Sequence, residues 1–312
     1  MTEPVFDPFS NKPDISATSR KLYLYNLTKL NGGKAVSNLK FLSNADLLDK
    51  INEAKPNTRR TYLISVVSAL KDRPEAKFKK LYAKFYEQLV NLNKELKDNT
   101  EKTPKVKENW VEQDDVKEIQ QKLSEIIPKI MNKKKISPEE YDELLKLVVL
   151  SLYTLQAPRR NKDYTEMLIV KKCCNTDDTA YNYLDISDWK WIFNNYKTQK
   201  KYQQKVVDIP EGELKDILKV YLKFHPDAKE FKKKTMDKPS HFLMKSDGTG
   251  ITSSTDMTRM LNKIFGKKVG CSMLRSIFLT DKYGKMAEEM KDDTSAMGTS
   301  VDTALNNYIK AE

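Results

Sequence analysis

The sequence predicts an α+β chain, mainly helical with a small antiparallel sheet, and three observations carry that expectation. Apolar residues recur at helical spacing along most of the chain. They switch to period two only over residues 181–210, and a polar stretch without periodicity separates the two halves. At 312 residues there is room for two domains of ~150 residues, each able to bury a core without disulfides or metals.

The elements follow in order. Residues 1–13 carry three prolines and little periodicity, so they read as a flexible tail. Residues 14–98 read as a small helical domain. Its first helix starts at the Ser-Ala-Thr-Ser run 16–19, places Tyr23, Leu27 and Leu30 on one stripe, and stops at Gly32-Gly33. A short amphipathic segment covers 44–54. Asn57 then caps a helix with Tyr62, Val66 and Ala69 on its stripe and Arg59 and Arg60 in its first turn. The longest helix starts near Pro74, with Phe78, Leu81, Phe85, Leu89 and Leu92 on one face and lysines on the other. Residues 99–109 are polar and aperiodic, which marks a linker to a second domain at 110–312.

That domain opens with a helix over about 116–130. Ser137-Pro138-Glu139-Glu140 is a capping box with proline at the first helical position, starting a helix that runs to about Tyr153. Three strands are expected at 181–186, 189–196 and 205–210, with a basic, polar tip at 197–204. Helices return at 212–224, 253–265, 271–282 and from about 300 onward.

Charge narrows the function classes. Lysine and arginine number 56 against 44 acidic residues, a net charge of +12, with a pI near 9.2. A lysine-dominated surplus suits a polyanion, and nucleic acid is the commonest one. Cys173, Cys174 and Cys271 form neither a disulfide framework nor a Cys-x-x-Cys spacing, and His225 and His241 are too few for a histidine-based metal site. No structural metal is therefore expected. The longest apolar run, 147–157, is about half the ~20 residues of a spanning helix, and the first residues have no basic-then-apolar leader pattern. The expectation is a soluble chain in a reducing, intracellular compartment.

Four segments of the second half carry candidate chemistry. In Pro158-Arg159-Arg160-Asn161-Lys162-Asp163 an apolar helix ends in two arginines, with a carboxylate following. An arginine whose fork is held by a buried carboxylate is pre-organised for phosphate, although cations at a helix C-terminus also simply match its dipole. Tyr196-Lys197-Thr198 lies at the hairpin tip, where a lysine can reach a substrate groove and donate a proton. Cys271-Ser272-Met273-Leu274-Arg275 sets an arginine beside a core stripe of Leu274 and Phe278, where snorkelling is the ordinary role. Met297-Gly298-Thr299-Ser300 leads to Tyr308, a residue whose commonest use near a terminus is packing.

In this order the segments resemble the tyrosine recombinase, or phage-type integrase, family. Its pattern is an arginine followed by Glu or Asp, a hairpin lysine, His-x-x-Arg, Gly-His and a C-terminal tyrosine. Phe242-Leu243, Gly248, Gly250 and Ile251-Thr252-Ser253 also resemble the family's run into His-x-Leu-Arg. The likeness covers residues from about Trp110 onward, and the helical half looks like the family's core-binding domain, one jaw of a clamp on duplex DNA. Two positions depart from the pattern: Ser272 and Thr299 stand where the family usually has histidine. Both can hydrogen-bond a phosphate, but neither titrates near neutral pH.

The resemblance implies a site-specific recombinase or integrase working through a 3′-phosphotyrosyl intermediate without metal or nucleotide. Tyr308 would attack, Arg160 and Arg275 would clamp the phosphate, Lys197 would protonate the leaving 5′-oxygen and Asp163 would orient Arg160. Arg159 competes with Arg160, and Lys200 and Lys201 compete with Lys197. Arg59, Arg60, Arg159, Lys200 and Lys201 would contact double-stranded DNA, on which copies of the chain could assemble as a homo-oligomer. A non-catalytic DNA-binding derivative and a type IB topoisomerase are the alternatives.

Overall fold

The computed structural model describes residues 6–98, 101–171 and 178–310. Two compact units divide the chain, one ending at Thr103 and the other starting at Pro104. Cys173 and Cys174 lie outside the described residues, and Cys271 is a free thiol.

The first unit holds α1 (Ala17–Leu30), α2 (Leu47–Asn52), α3 (Pro56–Leu70) and α4 (Ala76–Asp98). The Ser16 hydroxyl accepts the Ser19 N–H at the start of α1, and Gly32 and Gly33, at φ 68° and 81°, turn the chain after it. Leu27, Ile51, Leu63, Val66 and Phe85 make the core between these helices. Two expectations need correction. Residues 6–13, the described part of the expected tail, are anchored rather than loose: Phe9 is fully buried, Asp7 pairs with Arg20 at 2.6 Å, and the Pro8 carbonyl accepts from Arg73. One buried ring outweighs the local proline content. Asn57 is inside α3 rather than its cap, because Pro56, with its φ pre-set and no N–H to satisfy, takes the first helical position and leaves Lys55 as the cap.

The second unit begins with α5 (Pro104–Asn109), inside the stretch expected to be a linker. Six residues are too few to show a period, but the Asn109 side chain is buried and accepts the Lys268 N–H. The helix expected over 116–130 is two, α6 (Gln113–Ser124) and α7 (Ile126–Ile130). Pro128 has no N–H to give the Ser124 carbonyl, so a continuous helix would lose that bond. Next comes α8 (Pro138–Thr154), started by a complete capping box in which Ser137 and Glu140 satisfy each other's backbone N–H. It is buried from Leu144 to Tyr153 except at Lys146, and α6, α11 (Glu213–Phe224), α13 (Ser254–Phe265) and α14 (Cys271–Ala296) pack around it.

Short α9 (Asn161–Tyr164) leads into the sheet, whose strands are β1 (Leu168–Val170), β2 (Tyr183–Asp185), β3 (Lys190–Phe193), β4 (Lys205–Asp208) and β5 (Ser240–His241). Their order is β4-β3-β2-β1-β5. The sheet is mixed rather than antiparallel, because β1 runs parallel to β2 while every other pairing is antiparallel. The extra strands β1 and β5 have three residues and two, too short for alternation to register. Small helices α10 (Gln199–Tyr202) and α12 (Ala228–Lys232) sit in the connections. Helix α14 runs fourteen residues past its expected end at 282, since an interior glycine such as Gly284 costs only ~1 kcal/mol against alanine. The last segment is one turn, α15 (Val301–Thr303), followed by a π turn at Ala304–Tyr308 rather than a regular helix. The fold is α+β, and among the described residues no helix is long and apolar enough to cross a membrane.

Candidate functional site

A groove of about 640 Å³ opens where the end of α8, the β3–β4 hairpin and the first turns of α14 meet. Arg159, Arg160, Lys205 and Arg275 line it, with Asp163 as the carboxylate among them.

Its base is built from side-chain amides, of which Asn161 and Asn182 are buried. The Asn161 side chain accepts from the Tyr153 hydroxyl at 2.7 Å and donates to the Ser254 carbonyl and the Thr258 hydroxyl, both at 3.0 Å. Gln156 donates to the Tyr164 hydroxyl and accepts from the Trp191 indole. Asn182 accepts the backbone N–H groups of Asn194 and Asn195 and donates to the Asp163 carbonyl. These bonds tie the loop after α8 to the sheet and to α13, and buried polar groups keep such geometry because losing a partner is costly.

The two adjacent arginines have different surroundings. The Arg159 guanidinium lies 3.6 Å from the centre of the Phe193 ring, and its Nε donates to Asp163 Oδ2 at 2.8 Å. The Asp163 side chain is nearly inaccessible, and its Oδ1 has no hydrogen-bond partner. Burial pushes this carboxyl above its ordinary value of 3.8, and the neighbouring Arg159 and Arg160 pull it back. The carboxylate therefore grips the Arg159 guanidinium, not that of Arg160 as expected: Arg160 is the extended cap residue of α9 and meets Asp163 through its backbone. Arg160 and Arg275 both line the groove, and among the described residues neither is in an ion pair.

On the hairpin, the Tyr196 hydroxyl donates to the Gln203 carbonyl at 2.7 Å, and Gln204 donates to the Asn194 side chain. Gln203 takes a left-handed φ of 53° to close this turn. Lys197 is exposed and outside the groove lining; Lys205, across from Phe193 in the β3–β4 pairing, lines it instead. Lys200 and Lys201 are exposed on α10, with Lys201 beside the Tyr202 ring. Sequence reading missed Lys205, although the β3–β4 alternation places it on the same strand pair as Phe193.

The remaining expected site residues do not line the groove. Ser272 is exposed at a separate cavity with Trp110, Thr258 and Cys271. Thr299 is spent on the end of α14, where its N–H reaches the Thr294 carbonyl past Gly298 at φ 68°. Tyr308 is 61% exposed on the π turn. In the first unit Arg59 pairs with Glu95 and Arg60 donates to Asn93, both on α4. No family model, curated protein or solved structure matches this chain.

Proposed function

We propose that the chain breaks and rejoins duplex DNA as tyrosine recombinases do, with the second unit as its catalytic domain and the first as a DNA-binding domain. One observation carries this reading. Arg160 and Arg275, far apart in sequence, line the same groove, and neither guanidinium is in an ion pair among the described residues. Two guanidiniums and a lysine suit the non-bridging oxygens of a phosphodiester and the charge that grows on them in a pentacovalent transition state.

In this reaction the Tyr308 phenol oxygen forms a bond to phosphorus and the bond from phosphorus to the 5′-oxygen breaks. The phenol O–H bond breaks and its proton goes to solvent, the 5′-oxygen takes a proton from a lysine, and a 3′-phosphotyrosyl link remains. Lys205 rather than Lys197 is the donor we favour, since it lines the groove. Arg159 serves as a rigid wall, stacked on Phe193. The first unit adds phosphate contacts through Lys77, Lys80 and Lys84, an exposed stripe on α4.

The experiment is a nicked duplex that sheds a short 5′-hydroxyl fragment, so that religation has no partner. Wild type should leave a denaturation-resistant adduct on the DNA 3′ end, and Tyr308→Phe should leave none while binding equally well. Arg160→Ala and Arg275→Ala should each lower adduct formation by ~10²–10³-fold. A second reading, a DNA-binding protein without catalysis, is favoured by Tyr308 lying outside the groove lining. It prevails if the cognate duplex is bound and no adduct forms.

A further inference from the structure

We propose that α14 is a self-association element, through which a second copy of this chain docks antiparallel on the first. From Leu279 to Met290 the helix carries Leu279, Tyr283, Met286 and Met290, with steps of four, three and four residues. That spacing puts them on one stripe with the repeat of a coiled-coil seam. Leu279, Tyr283 and Met286 are 52%, 43% and 60% exposed and Met290 is half-buried, so most of the stripe faces outward. Of the buried residues of the helix, Leu274 and Ile277 come before the stripe and Thr294 after it.

The occupant follows from the stripe's symmetry and its charges. The four apolar positions read the same from either end, so a two-fold axis near Gly284 sets Leu279 against the partner's Met290 and Tyr283 against the partner's Met286. Just before Tyr283 and Met290 stand Lys282, whose ammonium lies by the Phe278 and Tyr283 rings, and Glu289, both exposed and neither in an ion pair among the described residues. In an antiparallel pair these flanking positions meet each other, so Lys282 of each copy faces the partner's Glu289, twice per dimer. The other flanking positions, Thr280 and Ala287, are uncharged. A parallel pairing would set Lys282 against Ala287 and gain nothing from either charge. The contact is smaller than the ~1,200 Å² of standard stable interfaces, which makes it a weak dimer with a Kd on the order of 10–100 µM.

Sedimentation equilibrium of the full chain without DNA tests this. Wild type should show monomer and dimer in that range, and Met286→Lys should stay monomeric while its circular dichroism and melting match wild type. Lys282→Glu should weaken dimerisation ~10-fold or more by setting like charges together twice, and so should Glu289→Lys. The double variant Lys282→Glu/Glu289→Lys should return to within about threefold of wild type. A chain that stays monomeric at several hundred micromolar, well above the expected range, overturns the proposal. So does a single charge variant that dimerises as wild type does, or a double variant that fails to restore it.

Discussion

The base of the groove and the arm that carries Tyr308 are built in opposite ways. The loop from Gln156 to Asp163 is held by the amide side chains of Gln156, Asn161 and Asn182, the last two buried, an aromatic cluster and an arginine stacked at 3.6 Å on Phe193. The arm after α14 is held by its own capping: Ser300 accepts the Thr303 N–H, Thr299 N–H returns to Thr294, and Ala304 is its buried apolar residue. Leu305, Tyr308 and Ile309 are all more than half exposed. The difference teaches where pre-organisation is concentrated. Groups that would hold a phosphate are set by the core, while the group that would attack is set by local turns.

The largest test of this contrast is Trp191→Ala. Trp191 is buried against Tyr164, Phe193 and Phe242 beneath the groove, so its loss should cost ~3–5 kcal/mol in denaturant unfolding of the second unit. A loss below 1 kcal/mol would show the base to be less tightly packed than the arm contrast requires.

Acid should act on the same unit. His225 accepts the Asp227 N–H at Nδ1 and meets the His241 carbonyl at Nε2, and burial pulls its value down from 6.5 to about 4. A depressed histidine favours the neutral folded form, so stability is full above 6.5 and falls as pH drops toward 4, by ~3 kcal/mol. Melting of wild type against His225→Gln from pH 7 to 4 measures it, and parallel curves would remove His225 as the cause.

Asn182→Ala should cost ~1–3 kcal/mol, because the Asn194 and Asn195 N–H groups lose their buried acceptor. It should also weaken anion binding in the groove, which phosphate titration by NMR would read. Asp163 adds a pH signature of opposite sense to His225. Its value is raised by burial, so its contribution is present below 3.8 and declines as pH rises through the raised value. The stability of wild type relative to Asp163→Asn should therefore fall with rising pH over that window and then level off. The smallest effect belongs to the arm: Leu305→Ser should change unfolding by no more than ~0.5 kcal/mol, and a larger loss would mean that the arm is packed.

By itself the sequence determined whatever depends on neighbours along the chain. Ser16 and Ser137 cap helices because a hydroxyl beside an apolar stripe satisfies a free N–H, and period two over 181–210 marks β2, β3 and β4. It also brought Arg160 and Arg275 forward as candidates for one site. Tertiary structure decided whatever depends on contacts across the chain. Phe9 is core and not tail because α1 and its neighbours offer it a pocket, and β1 is a strand because β2 and β5 supply its partners. Asp163 holds Arg159 because the Phe193 ring beneath that arginine fixes where its fork lies, and Lys205 enters the groove because pairing with β3 carries it there. Local spacing fixes propensity, but which side chain meets which depends on packing between segments that no single window of sequence contains.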